Sequence, residues 1–290
     1  MIEAARTSLL GLAVGDAFGC MLDAREPRHR ALRLISMQRP WRWSDDTAMA
    51  IEVVEELAAH GTIDPDRLAP AFAARYMREP DRGYGAGAAT ILERIAAGGA
   101  WREEAGRVFG GKGSYGNGAA MRAAPIGAYF APDLERVRDE ALRSAAPTHA
   151  HPDGAAGAVA VAIAAALGKA LELGEVARWT PPSPTRDRIL RAQQLGLGFD
   201  VQLAGEELGT GANISSRDTV PFALWCAARH IDSYEEAMWT ATAYPALDFA
   251  SAVVASLDRD TLGAIVGGVV ACAVGRDGIP LLWREATEEA

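Results

Sequence analysis

Two runs of this chain, 154–168 and 262–274, consist almost entirely of Ala, Gly, Val, Ile and Leu. Wound as a helix, each run is apolar on every side, and such a helix has to be enclosed. Neither reaches the ~18–20 residues needed to cross a bilayer, so both read as helices buried in a protein core. Enclosing two such helices takes several more, and the sequence supplies them. Residues 46–59 place Met49, Val53, Val54 and Leu57 on one helical face before Gly61 ends the pattern. Segments 188–197 and 234–244 carry further amphipathic patterns. Alternating strand patterns are scarce, so the expected fold is all-α. The segment 179–185, with Pro181, Pro182 and Pro184, is expected to be an irregular surface excursion.

The 290 residues, 49% of them apolar, suffice for one large core, and no repeat, charge block or low-complexity linker divides them. One domain over 1–290 is the expectation, and a monomer the expected state. Twenty-nine basic against 38 acidic side chains give a net charge of −9, which disfavours nucleic acid and anionic membranes as partners. Cys20, Cys226 and Cys272 stand apart with no Cys-x-x-Cys spacing, so a disulfide framework or thiolate zinc site is not expected. No basic region and apolar core of the signal-peptide kind opens the chain, and a reducing cytoplasm is the expected setting.

Ser44-Asp45-Asp46-Thr47 precedes the first amphipathic helix, and Asp258-Arg259-Asp260-Thr261 precedes the second apolar run. Singly, each is an ordinary helix start, because hydroxyls cap and early carboxylates complement the helix dipole. Together they raise a charge problem. If the two helix starts meet, four carboxylates converge, and four like charges are not buried together without cations. Two divalent cations would neutralise them, with the hydroxyls of Ser44 and Thr261 completing oxygen shells. An oxygen-only set favours Mg²⁺ or Mn²⁺ over zinc or copper. Neighbours such as Asp45 and Asp46 diverge by roughly 100° on a regular helix, so the ligands are expected at helix starts rather than in helix interiors.

The segment Gly110-Gly111-Lys112-Gly113-Ser114-Tyr115-Gly116-Asn117-Gly118 is the second informative stretch. Its backbone N–H groups suit an anion nest, and Tyr115 offers an aromatic face to a base or ribose. Residues 106–113 approach the P-loop spacing, but Gly113 stands where Ser or Thr would hold magnesium. Gly111, Gly113 and Gly116 match the dinucleotide spacing. Both motifs need a preceding strand, and 99–107 is too polar and mixed to be one. His149 and His151 form a pair, yet His29, His60 and His230 show no complementary spacing. The pair therefore reads as polar lining rather than as metal ligands.

In order along the chain, Gly11-Leu12-Ala13-Val14-Gly15-Asp16-Ala17-Phe18-Gly19, Ser44 to Thr47, Arg82 to Gly87, Gly111 to Pro125, Thr148-His149, Val220-Pro221 and Asp258 to Gly268 resemble the ADP-ribosylglycohydrolase family. The resemblance implies a compact orthogonal multi-helix bundle. It implies a binuclear Mg²⁺ or Mn²⁺ centre on Ser44, Asp45, Asp46, Asp258, Asp260 and Thr261. It also implies an ADP-ribosylated protein, or a small ADP-ribose conjugate, as substrate. The glycine loop is most similar to that of the serine-directed branch. That likeness implies Gly113, Ser114, Tyr115, Gly116 and Asn117 as substrate contacts, with His149 lining the pocket.

Two positions depart from the family pattern. Asp23 stands where the family often has Glu, which keeps the carboxylate and shortens its reach. Arg259 stands where Thr is common between the two aspartates. The implied reaction is hydrolysis of a glycosidic bond to ADP-ribose, with Asp23 or Asp260 moving the proton. An O-linked serine or acetyl ester is expected ahead of N-linked arginine. A non-catalytic ADP-ribose binder is the reading of another class, and retention of all four aspartates stands against it.

Overall fold

The computed structural model describes residues 1–23, 30, 32–243 and 257–290. These form α1 (Ile2–Asp23), α2 (Asp45–His60), α3 (Pro65–Arg78), α4 (Ala86–Ala96), α5 (Trp101–Gly111), α6 (Ala124–Phe130), α7 (Leu134–Ala145) and α8 (Pro152–Leu167). They continue with α9 (Leu173–Trp179), α10 (Pro184–Leu195), α11 (Val201–Leu208), α12 (Ser216–Arg229), α13 (Tyr234–Thr242), α14 (Arg259–Val274) and α15 (Leu281–Ala286). Among the described residues the only β-type pairings are isolated bridges, Trp41 to Thr287 and Gly116 to Ser215. The fold is all-α, as the sequence implies. His29 and Tyr244 lie outside the described residues.

The two apolar runs become α8 and α14. Both are buried over most of their surface, and α8 is enclosed by α6, α7, α12 and α14. With the 3-10 turn that follows it, α8 extends to Ala170. That makes 19 residues at a mean hydropathy of 1.4, longer than the sequence run, with 67% of it buried inside the fold.

The central pairing is α1 against α14, and glycine makes it possible. The two helices run antiparallel with their backbones in contact. A methyl added at Gly11 would meet the Gly267 carbonyl oxygen at 2.5 Å. One at Gly15 would overlap the Gly263 carbonyl, and one at Gly19 the Arg259 carbonyl. Gly11, Gly15 and Gly19 recur every four residues and therefore share one helix face. No other residue type lets two helices approach so closely. At the far side Phe18 stacks on Trp283 at 4.2 Å and meets the edge of Trp239 at 4.9 Å, which fastens α1 to α13 and α15.

The helix at 46–59 is α2, stopped by Gly61 in the left-handed region (φ 68°), whose N–H returns to the Leu57 carbonyl. The proline segment departs from expectation. Trp179 still belongs to α9, and Pro184 opens α10 as its first residue. Proline is well tolerated there, because the first helical N–H needs no intrahelical partner. Nor is the segment a loose excursion: Thr185 donates through N–H (2.9 Å) and hydroxyl (2.8 Å) to the buried Asp153.

Candidate active site

The α1–α14 seam ends where α2 and α14 begin, and there the acidic residues gather. Asp16 follows Gly15 and is fully buried. Its carboxylate accepts from the Ser44 N–H (3.0 Å to both oxygens), the Thr47 N–H (3.0 Å) and the Thr47 hydroxyl (2.6 Å). It thus satisfies the orphan donors at the start of α2. Ser44 is the N-cap of α2. Its hydroxyl accepts from the Asp46 N–H and donates to Asp46 Oδ2 at 2.9 Å. Asp45 and Asp46 occupy the first turn. Asp258 is the N-cap of α14 and Asp260 lies in its first turn. Asp258 accepts a 2.5 Å bond from the Asn117 amide, which also donates to Thr219 at 2.9 Å. The Thr261 N–H donates to Asp260 Oδ1 at 2.9 Å.

The cluster is electrostatically unbalanced as it stands. Burial, and then the nearby Asp260, push the Asp16 carboxyl up to about 7 and that of Asp45 up to about 8. Asp46 is raised well above the carboxylate range by burial and by Asp16 and Asp260. Asp258 is raised in the same way by burial and Asp260, with Asn117 opposing. Asp46 Oδ1 is buried with no hydrogen-bond partner among the described residues. Protein hydrogen bonds hold these acids: among the described residues no three Asp, Glu, His or Cys groups already close around one point. The donors are all oxygens, their mutual repulsion is unrelieved, and one buried oxygen is orphaned. A hard divalent cation fits that chemistry.

Across from the acids lies the glycine loop. It leaves α5 through a break in which Phe109, Gly110 and Gly111 all have positive φ. A helix rather than a strand thus precedes the loop, which rules out the P-loop and dinucleotide readings. The Ser114 hydroxyl accepts from the Gly116 N–H at 3.1 Å, and the Tyr115 carbonyl accepts from the Ser216 N–H at 3.1 Å. The Tyr115 ring lies 5.4 Å from Phe109 and 5.7 Å from His151, with the Arg217 guanidinium 5.8 Å above it. Phe109 is 51% exposed, because the break swings it out of the helix. Gly113 turns with φ 74° against Ala150 and His151, where a side chain would collide.

His149 is buried beneath the loop, and its Nδ1 lies 2.8 Å from the Thr148 hydroxyl. Burial, reinforced by Arg122, pushes its imidazole down to about 3, so it is neutral at physiological pH. Arg122 itself is fully buried. It donates to the Ser144 carbonyl (2.8 Å), the Thr148 hydroxyl (2.9 Å) and the Gly118 carbonyl. Burial lowers it to about 9, with Asp45 opposing.

One cavity of about 580 Å³ joins these parts. Asp45, Asp46, Asp258, Asp260 and Thr261 line one side. Ser114, Tyr115, Gly116, Asn117 and His149 line the other, and Phe109 and Ile214 flank the aromatic end. Three expected site residues lie outside its lining. Ser44 faces Asp46 and the α2 backbone, Gly113 supports the loop from behind, and Asp23 is paired with Arg259 at 2.7 Å. Sequence reasoning missed Asp16, Arg122, Phe109 and Thr219. A lone carboxylate inside the apolar glycine-spaced stretch of α1 was the available signal for Asp16; no spacing marks the others.

A second network holds the acid cluster from outside. The Arg82 carbonyl accepts from the Asp45 N–H at 2.8 Å. The Arg82 guanidinium sits 3.6 Å over Trp43 and grips Glu288 with two bonds of 2.8 and 2.9 Å.

An all-helical bundle carrying a carboxylate cluster and a glycine loop in one cleft defines the class. The sequence model of the ADP-ribosylglycohydrolase family matches residues 1–290. The chain belongs to this family and is a hydrolase. It is 30% identical to the ADP-ribosylhydrolase ARH3 of Homo sapiens, over 98% of this chain and 88% of that protein. It is 26% identical to the ADP-ribosylarginine hydrolase Tri1 of Pseudomonas putida (strain GB-1), over 98% of this chain and 74% of the relative. A solved structure titled ADP-ribosylglycohydrolase-related protein complex shares the fold. It has a TM-score of 0.67 and 24% identity, covering 99% of this chain and 93% of the other.

Proposed function

We propose that the protein hydrolyses the glycosidic bond between ADP-ribose and a serine oxygen or an acetyl ester, releasing ADP-ribose in a reaction that depends on divalent cations. The carrying observation is the polarity of the cleft, with buried carboxylates at one end and an aromatic pair beside a glycine loop at the other. Its volume of about 580 Å³ lies in the range of small-molecule sites. Phe109 and Tyr115 suit the faces of adenine. The loop backbone around Ser114 to Asn117 suits the diphosphate, since glycine admits close approach to N–H groups. The distal ribose then falls against Asp45, Asp46, Asp258 and Asp260. Asn117 ties the two ends together through Asp258.

Those carboxylates, with Thr261 beside them, would hold Mg²⁺ or Mn²⁺. When bound, such ions lower the pKa of a water and orient ribose hydroxyls. Asp260 lines the cavity; it accepts the proton of the attacking water as the anomeric bond breaks through an oxocarbenium-like state, and that proton is passed on to the departing serine or acetate oxygen. Neutral His149 supports the loop without adding charge. Arginine-linked ADP-ribose is the second reading, because Tri1 is named for it. The three unpaired cysteines suit a reducing cytoplasm, and the reading takes the protein as a monomer.

The test is mass-spectrometric detection of ADP-ribose released from serine-, arginine- and acetyl-linked substrates, with Mg²⁺, with Mn²⁺ and with chelator. Release from the serine or acetyl substrate that chelator abolishes is expected. Release from the arginine substrate alone would favour the second reading. Tight ADP-ribose binding with no release from any substrate would make the protein a binder and overturn the proposal.

A further inference from the structure

We infer that Asp23 and Arg259 act as one unit, in which Asp23 neutralises and positions Arg259 at the edge of the acid cluster and does not transfer the proton. The assay of this inference rests on the proposed hydrolysis; the pairing itself does not.

Arg259 is buried, at 5% exposure. Its backbone is pinned, because its carbonyl lies directly on Gly19 of α1. Its side chain runs along the last turn of α1. There Nη1 meets Asp23 Oδ1 at 2.7 Å, and Nε donates to the Thr242 carbonyl at 2.9 Å. The remaining Nη2 has no partner among the described residues. A buried guanidinium without a counter-ion is strongly destabilising. Among the described residues Asp23 is the carboxylate that pairs with it. Glycine at position 19 and aspartate at position 23 lie four residues apart, on the same face of α1.

Asp23 itself is a poor candidate for chemistry. Its side chain is 46% exposed, and it is absent from the cavity lining that includes Asp260. The next residue along α14, Asp260, turns about 100° away from Arg259 and raises the carboxyls of Asp16 and Asp45. Arg259 therefore faces α1 and Asp23, while Asp260 faces the cleft. The two side chains meet at the α1–α14 seam, so each supplies the other's counter-charge.

The experiment is a double-mutant cycle of Asp23→Asn, Arg259→Met and the two combined. It reads kcat and KM for ADP-ribose release, the thermal midpoint, and ADP-ribose affinity by calorimetry. Asp23→Asn strands the guanidinium beside the cleft and is expected to lower kcat by about tenfold. KM should change little, because the aromatic end is untouched. Arg259→Met is expected to cost less, since a half-exposed Asp23 is solvated. The double variant should return to the level of Arg259→Met, a coupling of about fivefold or more.

A double variant as inactive as Asp23→Asn, with a recovered midpoint, would show that Asp23 carries the proton and would overturn the inference. Additive effects in every readout would overturn it too. If Asp23→Asn does not fold, the double variant decides alone, since turnover without any carboxylate at position 23 excludes it as the base. A wild-type protein that releases nothing from any substrate would sink the proposed function instead. The midpoint and affinity cycles would still judge the pair.

Discussion

Replacing Gly15 with alanine puts the central seam to a direct test. The added methyl would overlap the Gly263 carbonyl oxygen and lie 2.7 Å from its carbon. Carbon atoms rest at about 3.5–4.0 Å, so α1 and α14 must part by about 1 Å. Overpacking of this kind costs about 3 kcal/mol, and alanine's better helix propensity returns about 1 kcal/mol. The net loss is then about 2 kcal/mol. An unfolding entropy of ~2.1 cal/mol/K per residue gives about 0.6 kcal/mol/K for a 290-residue chain. The midpoint should therefore fall by about 3 °C in scanning calorimetry. Gly106 in α5 is the control, because nothing lies within 4 Å of a methyl built there. The same substitution at Gly106 should raise the midpoint by about 2 °C, from propensity alone. The two changes are chemically identical and opposite in sign. Asp16 moves with Gly15, and displacing a site by 1 Å can cost about a hundredfold in rate, so turnover should fall more steeply than stability. A Gly15→Ala protein at or above the wild-type midpoint would refute the backbone contact.

The remaining predictions concern charge and binding. In cation-free buffer the midpoint should fall as pH rises from about 6.5 to 8. Asp16 and Asp45 are held protonated in the fold, up to about 7 and about 8, so their contribution is lost as pH rises through those values. His149 works the other way, since its lowered folded value costs stability only as pH falls below its ordinary 6.5; Mg²⁺ or Mn²⁺ should flatten the decline, and a midpoint rising across that window would contradict the account. Tyr115→Ala should loosen ADP-ribose by about tenfold in calorimetry, the usual scale for one base–aromatic stack, and unchanged affinity would remove Tyr115 from the proposed adenosine site. Glu288→Ala leaves the Arg82 guanidinium with Glu79 as its one carboxylate among the described residues, beside the Trp43 carbonyl and ring, and should cost about 2 kcal/mol. The loss should show as a lower midpoint together with a lower kcat, because Arg82 holds the Asp45 backbone; a midpoint shift with kcat intact would separate the clamp from the site.

Much of the fold was legible because helical patterning is local. The apolar runs at 154–168 and 262–274, the Gly61 stop and the caps at Ser44 and Asp258 are set by residues within a few turns of each other. Pro184 shows the limit of that reading. Whether a proline breaks a helix or opens one depends on Ser183 capping it and on Asp153, 32 residues away, receiving Thr185.

The same division runs through the site. The sequence alone determined the chemistry of the two acidic clusters, since aspartates ahead of apolar helices are visible without coordinates. It marked the glycine loop as a candidate site segment for the same reason. Only the tertiary structure decided which carboxylates share one cleft. Asp16 came to lie buried behind them because the Gly11–Gly15–Gly19 face lets α1 lie on α14, a contact that spans some 250 residues. Phe109 reached Tyr115 only through the break at the end of α5. Arg259 turned toward Asp23 and away from the cleft because successive helix positions point about 100° apart, so Asp260 faces the other way. Residue type is written locally, but the direction in which a side chain points is fixed by what packs against it.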